Sequence, residues 1–188
     1  MTQNDSRLKI INAARKAFAE KGHDGVSMSE IAQIAGVKKS LIYYYFPSKE
    51  DLFFDVWEFS IDELEGHLFG DIEGESKYLG KIKKVLKSYI DFLTSRNEVK
   101  KIILMEKGNL SRIDENTWIK ASKRYDDLKK RISELILRAK EADVVADDVD
   151  PKGAAELILN GFNPFSSVEE MKTVEEIILR GLISKKEI

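Results

Sequence analysis

The sequence contains no cysteine, which excludes disulfides, thiol nucleophiles and thiolate metal sites. It contains two histidines, His23 and His67. His67 has Glu63 four residues before it, a spacing that can bind zinc but reads first as a surface helix pair. No phosphate-cradling glycine loop and no nucleophile elbow occurs, so neither an enzyme nor a bound cofactor is expected. No apolar run approaches the roughly 20 residues needed to span a bilayer. The opening MTQNDSRLKII has no basic stretch followed by an apolar core, so no secretory signal is read there. The expected setting is cytoplasmic, with no membrane contact.

Positive charge is also in short supply overall, with a formal net of −2. Its distribution is uneven. Residues 1–50 hold eight Lys/Arg against five Asp/Glu, a net of +3, which leaves −5 on the remainder. A basic head on an acidic body suits contact with nucleic acid.

The head is organised around residues 27–53. Ser27 and Glu30 have the spacing of a capping box. Ile31, Ala32, Ile34 and Ala35 then give a helix of about two turns with one apolar side. Gly36 stands where a helix ends in the left-handed conformation, Val37 is placed to plug the corner, and a second helix starts at Lys38. Pro47 cannot continue that helix, and Ser48 with Asp51 opens another. Two short helices about a glycine corner make a helix-turn-helix, whose second helix lies in the DNA major groove. Lys38, Lys39, Ser40, Tyr43 and Tyr44 start that helix or lie on its outer side. Lysines there can meet phosphates or guanine, and the hydroxyls can bond phosphate. Lys49 opens the next helix, beside amides that favour an anion.

Residues 17–53, AFAEKGHDGVSMSEIAQIAGVKKSLIYYYFPSKEDLF, resemble the N-terminal DNA-binding domain of TetR-family transcriptional repressors. The resemblance is carried by Phe18, Gly22, Ser27, the run Ile31 to Val37, and Tyr43, Tyr45, Phe46 and Lys49. It implies that Lys39, Tyr43, Lys49 and Ser27 meet bases or phosphates, with Lys38, Ser40 and Tyr44 as further candidates. Leu41 departs from the family, which often has threonine there. A leucine cannot donate a hydrogen bond but can touch a thymine methyl.

Periodicity makes the whole chain all-α, with about nine helices and no strand pattern. A three-helix head (residues 1–47) is followed by a helical body (48–188), which the resemblance makes an effector-binding and dimerisation domain. Ile10, Ile11, Ala14, Ala17 and Phe18 share one face of a helix from about Ser6 to Lys21. Phe18, Ile31, Val37, Leu41 and Phe46 are expected in the head's core. The fourth helix runs from Ser48 to about Phe69 and is long enough to bridge head and body. Residues 70–80 read as the main loop. Helices then follow around 82–93, 99–107, 114–142, 151–162 (capped by Asp150, with Asn163-Pro164 as its stop) and from Ser167, another capping box with Glu170.

The resemblance implies that an effector sits in the body, and the matching segments carry Trp57, Ile61, Tyr89, Phe92, Met105, Trp118, Tyr125 and Phe162. Aromatics and a methionine suit a small apolar molecule. The last two helices present Leu157, Ile158, Phe162, Ile177, Ile178 and Leu182. Their apolar surface, with the family's habit, points to a homodimer that sets two recognition helices about 34 Å apart on a palindromic duplex. The leading expectation is a repressor released by its effector. Two alternatives stand beside it, a helical scaffold whose head binds protein and a DNA-binding regulator that responds to no effector.

Overall fold

Nine helices account for the secondary structure of the computed structural model, which describes residues 3–109, 115–162 and 167–184. They are α1 (Gln3–Lys21), α2 (Met28–Ala35), α3 (Lys39–Tyr45), α4 (Lys49–Phe69), α5 (Tyr78–Ser95), α6 (Asn97–Asn109), α7 (Glu115–Glu141), α8 (Pro151–Gly161) and α9 (Val168–Leu182). Among the described residues there is no strand. A single antiparallel pairing joins Val145 to Ile183, with Ala146 N–H donating to Leu182 O and Ser184 N–H to Val144 O, each at 2.9 Å.

The helix ends explain why the elements fall where they do. The Ser27 hydroxyl accepts from Glu30 N–H at 3.2 Å, while the Glu30 carboxylate is turned to Lys21, so the expected box acts through its serine half. Ser48 and Asp51 form a reciprocal cap, with Asp51 N–H on Ser48 Oγ at 3.0 Å and Ser48 N–H on Asp51 Oδ2 at 3.1 Å. Ser167 and Glu170 do the same for α9, and Asp150 Oδ2 takes Gly153 N–H at 2.7 Å for α8. Gly36 takes φ +64°. Gly36 N–H bonds Gln33 O, and Val37 N–H bonds Ala32 O, the paired closure that ends a helix in a left-handed residue.

Two boundaries depart from the expectation, and the first is α1, which begins at Gln3 rather than near Ser6. The loop expected over 70–80 is shorter, because α5 begins at Tyr78. Glu75 Oε1 accepts Lys77 N–H at 3.0 Å and its side chain packs where a Cβ on residue 80 would stand. Gly80 is therefore the residue that lets a loop carboxylate close over the new helix. The stop read at Asn163-Pro164 lies outside the described residues.

The chain divides into two compact units, Met1–Asp62 with Arg96–Arg124, and Glu63–Ser95 with Tyr125–Ile188. The first thus extends past residue 47 and takes in most of α4 and all of α6. In it α1 packs against α2 and α6, and α2 against α3. Ile10, Ile11, Ala14, Ala17, Phe18, Ile31, Ile42, Phe46, Phe53, Val56 and Trp57 are buried; each large side chain among them stabilises by about 1.5–3 kcal/mol. Val37 and Leu41, expected in this core, are only half-buried. Ile34 is 49% exposed, although it stands one turn from the buried Ile31. In the second unit α5 and α8 both pack on α9. Ile82, Val85, Leu86, Ile90 and Leu93 of α5 and Leu128, Ile132 and Ile136 of α7 are buried there.

Candidate nucleic-acid interface

The short third helix is what the head presents. Ile42 and Phe46 are buried and fix α3 against the rest of the unit. Lys38, Lys39, Ser40, Tyr43 and Tyr44 are all exposed, as is Ser27 at the cap of α2. Lys39 Nζ lies 5.7 Å from the Tyr43 ring centroid, a cation–π contact one turn apart that holds both side chains on one side of the helix. The Tyr44 and Tyr45 rings meet edge to face at 5.1 Å. Beside them is a shallow depression of about 520 Å³ lined by Ser6, Gly36, Val37, Lys38, Ser40, Leu41 and Tyr44. The half-buried Leu41 and Val37 therefore have a use the expected core did not give them: they floor an apolar notch beside the polar tips. Ser6, from α1, joins this surface, and no local pattern in the sequence marks it.

Lys49 sits differently from the other candidates. Its ammonium donates to His23 O at 2.9 Å and to Val26 O at 3.3 Å, so two of its three donors tie the α1–α2 loop to the start of α4. Above that tie, His23 is 8% exposed, stacked on Phe18 at 5.8 Å and edge-on to Phe53 at 5.2 Å. Its Nδ1 is 3.0 Å from Asp24 Oδ1. The histidine read only as a turn residue is thus part of the packing that sets α4 on the head.

The residues proposed for an effector fall in both units. In the first, Trp57 and Ile61 are fully buried. The Trp57 ring stacks on Phe54 at 6.3 Å, and its indole Nε1 is buried with no hydrogen-bond partner among the described residues. Nearby on α4, burial foremost, and then the charges of Asp62 and Asp55, push the Glu58 carboxyl up, against Arg124 and Arg7. In the second unit Tyr89 and Phe162 are brought together, rings edge to face at 5.7 Å. Tyr89 Oη donates to Leu159 O at 2.7 Å, and burial pushes that hydroxyl well above the ordinary phenol range. Phe92 is buried beside His67 at 5.7 Å, and Tyr125 is half-buried. The side chains of Met105 and Trp118 lie outside the described residues.

Of the residues proposed for a dimer face, Ile158, Phe162, Ile178 and Leu182 are 4% exposed or less within the single chain. Leu157 and Ile177 stand 52% and 63% exposed. Among the described residues no group of three His, Cys, Asp or Glu is placed to hold a metal ion, and no helix is long and apolar enough to cross a membrane.

A capped helix, a left-handed glycine corner and a short helix with an exposed basic and hydroxyl-bearing face define the head as a helix-turn-helix unit. The pattern described as "Bacterial regulatory proteins, tetR family" matches residues 10–56, a quarter of the chain. The HTH-type transcriptional regulator AcrR of Shigella flexneri is 33% identical over 107 residues, 54% of this chain. The chain spans about half of AcrR, 47% of its length. AibR, solved in complex with isovaleryl coenzyme A and operator DNA, matches with a TM-score of 0.75 at 18% identity, over 95% of this chain and 98% of AibR. FadR from Bacillus subtilis, solved in complex with stearoyl-CoA, matches with a TM-score of 0.77 at 19% identity, over 93% and 98% of the two chains. At those identities the likeness is one of fold.

Proposed function

We propose that this protein is a homodimeric, sequence-specific DNA-binding regulator of transcription, a cytoplasmic repressor released from a palindromic operator by a small apolar effector. The observation that carries the reading is α3. It is seven residues long, buries Ile42, and leaves Lys39, Tyr43 and Tyr44 outside with no interior role. Lys39 and Tyr43 meet bases or phosphates, Ser27, Lys38, Ser40 and Tyr44 flank them, and the third donor of Lys49 reaches a phosphate. Leu157 and Ile177 are the apolar surface that a two-fold partner covers.

The effector half of the reading is supported by two things. AibR and FadR, with the same fold, were solved with acyl-coenzyme A molecules. The unpartnered indole N–H of Trp57 is a buried donor that an oxygen on an otherwise apolar ligand would satisfy. Because α4 is one unbroken helix from Lys49 to Phe69, a ligand and an operator that prefer different positions of it must weaken each other's binding by the same factor. A second reading, regulation without an effector, is favoured by the tight burial of Ile61, Tyr89, Phe92 and Phe162.

Selection from a random duplex library at moderate salt tests the first half. A recovered palindrome with half-sites about one helical turn apart supports it; recovery of no common sequence sinks it. For the second half, acyl-coenzyme A thioesters of short and long chain are added to the protein–operator complex. Release of DNA supports the effector reading, whereas unchanged operator affinity across the series leaves regulation without one.

A further inference from the structure

The second unit holds a cavity of about 250 Å³ that none of this uses. Phe69, at the end of α4, is 5% exposed, and Tyr78 and Lys81 come from the first turn of α5. On α7, Arg131, Glu134 and Arg138 follow one another at turn spacing on the same face. Arg131 is held from two sides. Its guanidinium carbon is 4.2 Å from the Phe69 centroid, and its Nη1 is 2.7 Å from Glu65 Oε1. Lys81 Nζ lies 5.6 Å from the centroid of Tyr78.

Two features of this wall point to a ligand. Several exposed cations elsewhere are matched: Arg7 by Asp55, Lys21 by Glu30, Arg124 by Asp62, Lys129 by Asp126 and Glu156. Lys81 and Arg138 border the cavity, and no carboxylate lies within ion-pair distance of either among the described residues. Neither is neutralised by an ion pair, although two carboxylates share the concave surface with them, and a partly anionic ligand is favoured there. The second feature is Arg131 itself. A guanidinium stacked on one ring offers its other face to a second flat group.

Glu73 and Glu134 decide what kind of anion. Both line the cavity, and they would repel a bare phosphate. A nucleotide has donors for them in its ribose hydroxyls and, for adenine, its exocyclic amine. We propose that this groove binds a nucleoside polyphosphate moiety, its base stacked on Arg131 and flanked by Tyr78, its phosphates on Lys81 and Arg138. The volume is below the roughly 300 Å³ at which enclosed ligand pockets begin, so the phosphates stand partly in solvent. Such a moiety reaches the protein either as a free nucleotide or as the nucleotide end of a coenzyme thioester.

The test is calorimetric titration of the full chain with ADP, with free coenzyme A and with tripolyphosphate, repeated on Lys81→Gln and Arg138→Gln. Both side chains reach solvent, and circular dichroism checks that each variant keeps its helix content. ADP or coenzyme A is expected to bind, with each substitution weakening binding about tenfold through loss of a charge-assisted contact. Tighter binding of coenzyme A than of ADP assigns the source to a thioester; equal or weaker binding assigns it to a free nucleotide. Three outcomes overturn the proposal: neither compound binding at about 1 mM, binding unaltered in both variants, or tripolyphosphate binding as well as ADP. None of these readings involves DNA, so failure here leaves the DNA-binding half of the regulatory reading untouched.

Discussion

The tyrosines of α3 and of α5 do opposite things with the same side chain. Tyr43 and Tyr44 stand 45% and 67% exposed on a seven-residue helix. Tyr89 is 4% exposed on an 18-residue helix, its hydroxyl bonded to the carbonyl of Leu159 and its ring against Phe162. Leu159 belongs to the last turn of α8, whose carbonyls have no acceptor role left inside their own helix. The Tyr89 hydroxyl therefore joins α5 to the end of α8, while Tyr43 and Tyr44 of α3 stand at the surface. Stability resides in the buried rings, and the exposed ones carry the proposed recognition.

Phe162→Ala should have the largest effect of all. Its side chain is fully buried, and removal of such a ring costs about 3–5 kcal/mol. Urea unfolding followed by circular dichroism reads this directly. A loss under about 1 kcal/mol would mean that the ring occupies space the second unit can do without, and the contrast with α3 would fail at its strongest point.

Tyr89→Phe keeps the ring and removes only the hydroxyl, leaving the Leu159 carbonyl without that partner at an expected cost of about 1–3 kcal/mol. Alkaline pH provides a second readout. Burial raises the Tyr89 hydroxyl above its unfolded value of about 10. The folded state therefore holds the proton more tightly than the unfolded one. Its contribution is complete below about pH 10 and falls as pH rises beyond. Stability of the wild type should drop in that alkaline window, and the Phe variant should drop less.

Gly36→Ala carries the contrast to the head's backbone. Nothing lies within 4 Å of a Cβ added there, so the cost is conformational. A left-handed backbone costs a residue with a Cβ about 1–2 kcal/mol. Thermal melting checks the size. A neutral result would mean that the corner relaxes to another ending, and DNA affinity should then shift, because α3 begins three residues later.

The head was legible because its signals are local. A serine cap, a glycine corner and a proline stop each act within four residues, and all of α2, α3 and the start of α4 follow from them. Buried faces with a strict helical period, such as Ile10 to Phe18 and Ile82 to Leu93, were equally plain. What was not legible depended on partners far along the chain. Lys49 reads as a helix-start cation, yet its ammonium is claimed by carbonyls 23 and 26 residues earlier. Ile34 has the right period, yet it stands 49% exposed. The cavity between Phe69, Lys81 and Arg138 is assembled from three separate segments, and no spacing rule joins them. Among the dimer candidates, periodicity named six side chains without distinguishing the four that pack inside the chain from Leu157 and Ile177, which do not.

The smallest expected change in stability, and the sharpest separation of the two regions, belongs to Tyr43. Tyr43→Phe removes one exposed hydroxyl that has no interior role, so unfolding free energy should stay within about 0.5 kcal/mol of wild type. If the hydroxyl donates to a phosphate, operator affinity should still fall by about 1 kcal/mol, roughly fivefold. The loss should be alike on matched and mismatched duplexes, since a phosphate carries no base identity. Lys39→Ala, one turn away, separates charge from hydroxyl. It should lower the slope of log affinity against log salt by about one, whereas Tyr43→Phe should leave that slope unchanged. Were Tyr43→Phe to destabilise the fold as Tyr89→Phe does, the α3 ring would belong to the scaffold, and the DNA-facing surface would have to be sought among Lys38, Lys39 and Ser40 alone.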